Sequence, residues 1–420
     1  MTALTYVIVG GGVTGVSAVE ALRNEGFDGR IVLVGEEREP PYERPPLSKQ
    51  LLRREIERDA VTLRAPEFYA SNSIELRLGE RVSRLNIQSK QIELADGNSI
   101  AYDKVLVATG ASPRRLAVPG EDLSGVHYLR TLDDSLRLTN ALQHSPAVLV
   151  VGGGFIGCEV AASARQMGCE VTIVAPKLPM EHALGAEIGS LYAGWHRDRG
   201  VKVKSGATVV QFLGNGALEA VRLTDDSTVE CALCVVGIGA VPSVAWLDGN
   251  LNVSDGVETD EFCRTSVEHV FAAGDVARSW RPRLNRRVRL EHFDNAETQG
   301  AAAGRSMHGG TRAYDPIPFF WSDQFDISLQ YYGQTQDWDR VVMRGRGKDA
   351  SFVAFYLKND RIEAACAIDR SREANVIKRL IGRSDVLARD LGDEDVPLKD
   401  ISMSTIAVGS NNAKILNEGP

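Results

Sequence analysis

The chain has 420 residues, of which 43% are hydrophobic and 25% charged, and its formal net charge at pH 7 is -8. The length predicts two or three domains, because a single hydrophobic core rarely grows that large. The negative charge argues against a nucleic-acid-binding protein, and the sequence has no apolar run of transmembrane length. Its 6 cysteines, none of them before Cys158, indicate a reduced cytoplasmic protein rather than a disulfide framework.

The first predicted element is a buried strand, YVIVG, which begins at Tyr6 and leads into a glycine motif. Gly10, Gly12 and Gly15 have the spacing G-x-G-x-x-G, and a helical pattern and a second β-branched strand follow. Glycines there allow a tight turn and a close approach of the backbone to a pyrophosphate, which the helix N-terminus attracts. Glu36 ends the second strand, where a carboxylate accepts hydrogen bonds from a ribose 2′-hydroxyl. The segment predicts a dinucleotide site.

Residues 40–49, PPYERPPLSK, follow this strand and have neither helical nor strand periodicity. Four prolines stiffen a segment that carries Glu43, Arg44 and Lys49. On their own, these charges are explained equally well by a solvated surface loop.

The glycine motif occurs a second time, in VLVVGGGFIGCEVAASARQMGCEVTIVAPK, which begins at Val148. Gly152, Gly154 and Gly157 again stand between a strand and a helix. A single motif of this kind is weak, but two copies in the same context strongly indicate two dinucleotide sites.

The strand after the second motif lacks the acidic residue that selects NAD over NADP. Ala175 or Pro176 stands at that position, and Lys177 follows. A lysine there favours a 2′-phosphate, but most such lysines are solvated surface residues. NADPH therefore stays open as a donor beside NADH.

Three further strand ends fit nucleotide binding. DKVLVATGASPR places Ala108, Thr109 and Gly110 at the end of a strand, and VVGIGAVPS places Gly239 at a turn suited to a nicotinamide nucleotide. VFAAGDVA ends near Asp275, whose carboxylate can bind a ribityl hydroxyl or cap a helix.

The chain resembles the putidaredoxin-reductase-like ferredoxin reductases of oxygenase systems in an ordered series of motifs: GGGVTG, GEE, PPYERPPLSK, ATGASP, GGGFIGCE, GIGAVPS, FAAGDVA, EHFDNAETQG and FFWSDQFD. The resemblance runs from residue 5 to about residue 330. It implies an α/β flavoprotein of glutathione-reductase-like fold, with two Rossmann-type dinucleotide-binding domains and a C-terminal α+β domain. It also implies FAD, electrons from NADH or NADPH, and a [2Fe–2S] ferredoxin that serves a haem-thiolate monooxygenase or a Rieske dioxygenase.

The same resemblance assigns roles around the flavin. The segment ERPPLSK would lie along the isoalloxazine, with Arg44 as a hydrogen-bond donor and Lys49 beside N5. Glu159 would pair with Lys49 near the nicotinamide, and a fixed positive charge there would favour the reduced flavin. Trp321 would lie near the flavin and the ferredoxin face, although tryptophan more often fills a core or an interface.

The resemblance identifies Lys49 and Glu159 as the predicted catalytic residues, and it alone assigns Val82, Arg130 and Phe293 to FAD. The residues predicted to contact FAD are Gly10, Gly12, Val13, Thr14, Gly15, Glu36, Arg44, Lys49, Val82, Ala108, Thr109, Gly110, Arg130, Asp275, Phe293 and Trp321. The residues predicted to contact the nicotinamide nucleotide are Gly152, Gly154, Phe155, Ile156, Gly157, Glu159, Ala175, Lys177 and Gly239. No cysteine or histidine cluster has metal-ligand spacing, so no metal site is predicted.

The predicted domain boundaries are residues 1–113 and 245–317 for the FAD-binding domain, 114–244 for the NAD(P)-binding domain and 318–420 for the C-terminal interface domain. The last of these contains alternating apolar runs, which predict an antiparallel sheet followed by helices.

The cysteines bear on other activities of this fold. Disulfide reductases need a redox cysteine pair near the flavin, and cysteine-type peroxidases need one cysteine around residues 40–50; the sequence has neither. Cys231 and Cys234 have CxxC spacing in a strand pattern and are interpreted as core residues. An apoptosis-inducing-factor-like redox interaction protein, a rubredoxin reductase and a monodehydroascorbate reductase stay open as alternatives.

The stretch RSWRPRLNRRVRLEH, residues 278–292, is strongly basic within an acidic chain. Its arginines are Arg278, Arg281, Arg283, Arg286, Arg287 and Arg289. We expect either a solvated hairpin or a docking surface for an acidic ferredoxin, because opposite charges speed and orient the encounter of two proteins.

Overall fold

The computed structural model describes residues 4–247, 249, 251–346 and 351–403. These residues form two compact units. The first contains the chain up to Pro316 together with Asp323–Phe325, and the second contains Ile317–Ser322 and the chain from Asp326 onward. The end of the predicted C-terminal domain, residues 404–420, lies outside the described residues.

The first compact unit opens with strands and helices around the first glycine motif: β1 (Thr5–Val9), α1 (Val13–Asn24), β2 (Arg30–Gly35), α2 (Pro66–Ser71), β3 (Ile74–Leu78), β4 (Val82–Asn86), β5 (Gln91–Leu94), β6 (Ser99–Ala101), β7 (Lys104–Val107) and β8 (Ala111–Pro113). The elements around the second motif follow: β9 (Val126–Tyr128), α3 (Leu132–His144), β10 (Ala147–Val151), α4 (Phe155–Gln166), β11 (Glu170–Ala175), α5 (Glu181–Leu184), α6 (Ala186–Asp198), β12 (Lys202–Ser205), β13 (Val209–Leu213), β14 (Ala220–Leu223), β15 (Thr228–Glu230), β16 (Leu233–Val236) and β17 (Ala240–Pro242).

The remaining elements complete the first unit and build the second. The first unit ends with β18 (Val253–Ser254), β19 (Gly256–Thr259), β20 (Val270–Ala272), β21 (Ala277–Arg281), β22 (Arg286–Arg289) and α7 (Phe293–Met307). The rest of the described chain contains β23 (Phe319–Gln324), β24 (Ile327–Gly333), β25 (Arg340–Arg346), β26 (Ser351–Lys358), β27 (Arg361–Ile368), α8 (Ala374–Leu380), α9 (Ala388–Gly392) and α10 (Leu398–Met403).

One sheet of the first unit is parallel and has the strand order β20-β7-β1-β2-β3. The side chains of β1 alternate between two cores, with Tyr6 and Ile8 in one and Val7 and Val9 in the other. From β1 the chain runs outward through β2 and β3 and then returns on the other side at β7. The strand order therefore reverses next to β1, and such sheets bind ligands at the carboxyl ends of the strands at this point.

A second parallel sheet of the same unit repeats this plan, with the order β12-β11-β10-β16-β9. β10 lies between β11 and β16, so the second glycine motif also follows a strand at which the order reverses. The prediction of two Rossmann-type dinucleotide-binding folds is confirmed.

The chain enters and leaves the second sheet through two short antiparallel strands, β8 and β17, in which Ala240 stands opposite Pro113. β20 then returns to the first sheet and pairs with β7. The first sheet is thus built from two stretches of sequence, and the second sheet comes from the stretch between them. The boundaries given above for the domains stay a prediction.

The second compact unit contains, apart from the last two residues of β23, a five-stranded sheet with the order β23-β24-β27-β26-β25. Its pairs β24–β27, β27–β26 and β26–β25 are antiparallel. Apolar residues of the following helices, including Ile377, Leu391 and Leu398, pack with strand residues such as Phe355 in one core. The predicted antiparallel sheet followed by helices is therefore present. No helix within the described ranges has the length and apolar character needed to cross a membrane.

Candidate functional site

The first glycine motif forms an open turn at the carboxyl end of β1. Gly10 has φ +124°, and a Cβ atom there would lie 2.1 Å from the carbonyl oxygen of Ala108. A Cβ atom on Gly15 would lie 2.1 Å from the carbonyl oxygen of Gly10, whereas one on Gly12 would meet nothing within 4 Å. The two tight glycines close β1 onto β7 and α1, and Gly12 leaves the N-terminus of α1, which begins at Val13, open to a phosphate.

A contact between Thr14 and Gly274 joins the two sequence stretches of the first sheet. Gly274 has φ +78°, and a Cβ atom there would lie 2.3 Å from Oγ1 of Thr14. The backbone N–H of Gly274 donates to Oε1 of the buried Gln299 at 2.9 Å. These contacts fix the next residue, Asp275, beside the first glycine motif.

Two arginines gather at this turn. Nη2 of Arg130 lies 3.1 Å from Oδ2 of Asp275 and would lie 3.0 Å from a Cβ atom on Gly110. Arg44 donates from Nη1 to the backbone carbonyl of Arg130 at 2.6 Å. Burial lowers the pKa of Arg130, and the neighbouring charge of Arg44 lowers it further. The structure thus brings together four residues assigned to FAD, and their contacts with FAD stay a prediction.

Sequence reasoning missed a tyrosine and a carboxylate that hold Arg44. Nη2 of Arg44 lies 2.8 Å from Oε1 of Glu37, and the hydroxyl of Tyr42 donates to the other oxygen of Glu37. The same hydroxyl accepts from the backbone N–H of Leu132 at 2.9 Å. Burial raises the pKa of Tyr42 well above its usual range. The available signal was the single aromatic residue inside the proline-rich segment.

Lys49 and Glu159 form a buried ion pair, with Nζ 3.0 Å from Oε2. Both residues are nearly inaccessible to solvent, at 6% and 3% exposure. The lysine follows a single 3₁₀ turn, Pro45–Ser48, which begins with two prolines, and the glutamate lies in the second turn of α4. The structure therefore brings the predicted catalytic pair together.

Ser48 is a further member of this group that sequence reasoning did not single out. Its hydroxyl donates to Oε2 of Glu159 at 2.5 Å. A buried ion pair is favourable only when further hydrogen bonds compensate for lost hydration, and Ser48 supplies one. Its position beside Lys49 in the proline-stiffened segment was the only sign of this role.

The second glycine motif repeats the geometry of the first. A Cβ atom on Gly152 would lie 2.2 Å from the carbonyl oxygen of Gly237, and one on Gly154 would meet nothing within 4 Å. α4 begins at Phe155, and the next residue, Ile156, is 48% exposed. An exposed apolar side chain at an open helix N-terminus fits a nicotinamide nucleotide.

The residues expected to distinguish NADH from NADPH lie around the carboxyl end of β11. Ala175 is the last residue of that strand and is 4% exposed, whereas Lys177 is exposed. Gly239, with φ +101°, precedes β17, and a Cβ atom there would meet nothing within 4 Å. Position 175 therefore carries no carboxylate that would repel a 2′-phosphate.

The remaining residues assigned to FAD lie at element ends. Glu36 is exposed directly after β2, Val82 begins β4, and Phe293 begins α7. Oγ1 of Thr109 donates to the carbonyl of Ser243 at 2.8 Å. Trp321 belongs to the second compact unit, where its ring stacks on Phe319 with centroids 6.1 Å apart. Its predicted place near the flavin stays a prediction.

The arginine-rich run forms the hairpin of β21 and β22. Arg281 is 2% exposed and donates to Oδ1 of Asn295 at 2.6 Å, so it serves the interior and not the surface. Two other arginines of the run share one carboxylate. Nη1 of Arg278 lies 2.9 Å from Oε1 of Glu258, and Nε of Arg287 lies 3.9 Å from Oε2 of the same residue.

Arg289, in the same hairpin, lies 3.1 Å from Asp255. Among the residues that the structure describes, the guanidinium groups of Arg281, Arg283 and Arg286 have no carboxylate within 4.0 Å, and of these three only Arg281 is buried. The predicted docking patch therefore offers fewer than six unpaired positive charges to a partner.

All six cysteines are free and buried. Burial raises the pKa of Cys231 to about 11 and raises that of Cys234 well above its usual range. Both side chains pack in a core of the second sheet, in agreement with their interpretation as core residues. Within the described ranges, no group of three or more histidine, cysteine, aspartate or glutamate residues could hold a metal ion.

The residues present fit FAD at the first sheet. The open glycine turn would accept a pyrophosphate, Arg44 and Arg130 would supply positive charge near it, and Asp275 would offer a carboxylate to a hydroxyl chain. The second turn offers the same open helix end at Gly154.

Comparison with known proteins agrees with this geometry. Residues 4–300 match the pyridine nucleotide-disulphide oxidoreductase family, and residues 319–402 match the reductase C-terminal family. The chain belongs to the pyridine nucleotide-disulphide oxidoreductase family.

Relatives of this family include named ferredoxin reductases. The ferredoxin–NAD(+) reductase component of the anthranilate 1,2-dioxygenase system from Burkholderia cepacia is 37% identical over 407 residues, covering 95% of this chain and 99% of the relative. Putidaredoxin reductase from Pseudomonas putida is 34% identical over 404 residues, covering 94% and 96% of the two chains. A solved covalent putidaredoxin reductase–putidaredoxin complex matches with a TM-score of 0.90 and 32% identity, covering 96% of this chain and 98% of that one.

These matches confirm the resemblance to putidaredoxin-reductase-like ferredoxin reductases and the predicted oxidoreductase activity. Enzymes of this family use FAD and NAD(H), so the predicted cofactors are confirmed as well.

Proposed function

We propose that the chain passes electrons from NADH to a [2Fe–2S] ferredoxin, with FAD as its prosthetic group, and that this ferredoxin supplies an oxygenase. NADPH is the alternative donor. The Lys49–Glu159 ion pair carries the proposal, because it joins the segment after β2 of the first sheet to the helix that follows the second glycine motif. A charged pair at that junction stands where a flavin and a nicotinamide would meet.

The residues of the chain bind the two nucleotides, orient them and shield them from water. FAD in such enzymes supplies the exchange of a two-electron hydride for single electrons. Lys49 holds a fixed positive charge at the junction, and Glu159 keeps its ammonium in place. Arg44 and Arg130 attract the anionic cofactor, and Ile156 gives the nicotinamide nucleotide an apolar contact.

The identity of the electron acceptor is inferred from the state of the cysteines and from the named relatives. The cysteines lie in buried positions with pKa values raised by burial, so they do not form the reactive thiol of a disulfide reductase. The named relatives are reductase components of dioxygenase systems and a putidaredoxin reductase, which supports a ferredoxin as the partner of this chain.

Stopped-flow reduction of the holoenzyme tests the proposal. We expect fast flavin reduction by NADH, followed by electron transfer to a [2Fe–2S] ferredoxin faster than to a rubredoxin or to monodehydroascorbate. Slow reduction with a long-lived charge-transfer complex and no ferredoxin turnover would instead favour a redox interaction protein of the apoptosis-inducing-factor type.

A cytoplasmic location belongs to the same proposal. Its support is that the six cysteines are free and buried, as expected in a reducing compartment.

A further inference from the structure

The hydroxyl of Ser48 shares an acceptor with the catalytic lysine. Ser48 is 2% exposed, and its Oγ lies 2.5 Å from Oε2 of Glu159. The same oxygen accepts from Nζ of Lys49 at 3.0 Å. Two consecutive residues of the proline-stiffened segment therefore donate to one carboxylate oxygen on α4.

Helix α4 also binds residue 48 through its backbone. The hydroxyl of Ser163 donates to the carbonyl of Ser48 at 2.7 Å and accepts from Nη1 of Arg53 at 3.1 Å. Glu159 and Ser163 are four positions apart and lie on the same face of the helix. The backbone bond fixes residue 48 against α4, so its side chain is presented to the carboxylate.

The Ser48 hydroxyl donates its proton to Glu159 rather than to the backbone. Oγ of Ser48 lies 3.5 Å from the carbonyl of Pro45, at the outer limit of a hydrogen bond, and 2.5 Å from the charged oxygen of Glu159. A hydroxyl donates one proton, and the short contact to a carboxylate is the stronger of the two.

We propose that Ser48 is a positioning residue that anchors the Glu159 carboxylate and thereby sets where the Lys49 ammonium stands. With the serine bond in place, the carboxylate is held to the segment independently of the lysine. Without it, the carboxylate loses one of its hydrogen-bond donors and draws the Lys49 ammonium closer to α4. The inference rests on the proposed function in one respect, because it takes Lys49 to stand beside the flavin.

The test is a double-mutant cycle in the holoenzyme with Ser48→Ala and Glu159→Gln. We expect Ser48→Ala to lower the rate constant of flavin reduction at saturating NADH about tenfold, the effect of losing one charge-assisted hydrogen bond. The dissociation constant of NADH should change less than about twofold, since no binding group is removed. In the Glu159→Gln background, Ser48→Ala should add less than about twofold, because its target carboxylate is already gone.

The midpoint reduction potential of the bound flavin is a second readout that does not depend on turnover. A positive charge drawn away from a cofactor that gains negative charge on reduction makes the potential more negative. We expect this shift in Ser48→Ala and not in Ser135→Ala. Ser135 is a matched control, because it is another fully buried serine and its hydroxyl donates to the carbonyl of Leu47 at 2.8 Å on the same segment.

Ser48→Cys, which keeps the volume but donates weakly, repeats both measurements if Ser48→Ala does not fold. Equal losses in Ser48→Ala and Ser135→Ala, or an equal loss with and without Glu159, would overturn the role of Ser48. A clear effect of Glu159→Gln combined with none from Ser48→Ala would overturn this inference alone. Unchanged rate and potential in Glu159→Gln would overturn both the inference and the proposed role of the ion pair.

Discussion

Arg44 is held by two further neighbours besides the carbonyl of Arg130, namely Tyr42 and Glu37. Burial alone would lower the pKa of Arg44, but the Tyr42 hydroxyl and the Glu37 carboxylate more than offset that, so the pKa is raised. Glu37 also receives the Tyr42 hydroxyl, which in turn accepts from Leu132. One carboxylate thus orders both the guanidinium and the aromatic ring of the segment.

We therefore expect Glu37→Gln to weaken FAD binding to the apoprotein about tenfold, because an arginine that has lost its charged partner is no longer held in one geometry. Titration of the apoprotein with FAD, followed by quenching of flavin fluorescence, measures this. The control is Glu43→Gln, which removes an exposed carboxylate from the position next to Arg44. Equal affinities of the two variants would show that Glu37 has no part in the site.

Donor choice is also decided at single residues. Ala175 ends β11 next to the second glycine motif, since its Cβ would lie 3.3 Å from a Cβ atom on Gly153. We expect Ala175→Glu to raise the preference for NADH over NADPH about tenfold, because the new carboxylate accepts from a 2′-hydroxyl and repels a 2′-phosphate. The ratio of the two kcat/KM values measures it. Lys177→Gln should lower only the NADPH value, and an unchanged ratio in Ala175→Glu would place the ribose elsewhere.

At the scale of elements, the turn after β20 depends on close contact with α1. A Cβ atom on Gly274 would meet Oγ1 of Thr14 at 2.3 Å, whereas one on Gly97, between β5 and β6, would meet nothing within 4 Å. Both glycines have positive φ, at +78° and +90°. Comparing alanine at the two positions therefore separates the steric contact from the backbone strain that they share.

We expect Gly97→Ala to lower the free energy of unfolding by about 1 kcal/mol through strain alone. Gly274→Ala should lower it by about 3 kcal/mol, because overpacking against α1 adds to that strain. Urea unfolding with saturating FAD measures both. Equal losses would mean that the Thr14 side chain simply turns away.

The elements that could be predicted from the sequence are those specified locally. Each glycine motif lies between a buried β-branched strand and a helix, and the tight positions such as Gly10 need glycine for reasons visible in the spacing itself. The resemblance then supplied Lys49 and Glu159 as a pair, and the structure joins them although they are 110 positions apart.

The missed features are those in which an ordinary polar residue gains its role from a distant partner. Ser48 meets Glu159 across 111 positions, and no local pattern distinguishes it from a turn serine. Arg281 looked like one more surface charge, yet it is buried on the neutral side chain of Asn295 and under the ring of Tyr314. Such roles depend on tertiary packing, which periodicity does not report.

At the scale of the whole molecule, the hairpin of β21 and β22 still offers a place for an acidic partner. Carboxylates lie within 4.0 Å of the guanidinium groups of Arg278, Arg287 and Arg289, and Arg281 is buried. Among the described residues of the run, Arg283 and Arg286 are therefore the charges best placed to meet a ferredoxin. A small local patch accelerates encounter more than it tightens binding.

We expect Arg283→Glu combined with Arg286→Glu to lower the rate of ferredoxin reduction at low salt, while ferricyanide reduction changes much less. The gap between variant and parent should shrink as salt is added, because exposed charges are screened beyond about 10 Å at 0.1 M. Arg287 is a weaker probe than Arg283, because its guanidinium lies 3.9 Å from the carboxylate of Glu258. Equal ferredoxin rates at low salt would place the docking face on another surface.

The return of β20 to the first sheet has a consequence during synthesis. β7 needs β20 as its outer neighbour, and Val105, Leu106 and Val107 of β7 are fully buried only in the finished sheet. At ribosomal rates of about 5–20 residues per second, the intervening second sheet delays β20 by roughly ten to thirty seconds. For that time the nascent chain carries an unpaired apolar strand edge, the kind of surface that aggregates or recruits chaperones. All strands of the second sheet thus leave the ribosome before β20, and the first sheet can be completed only after them.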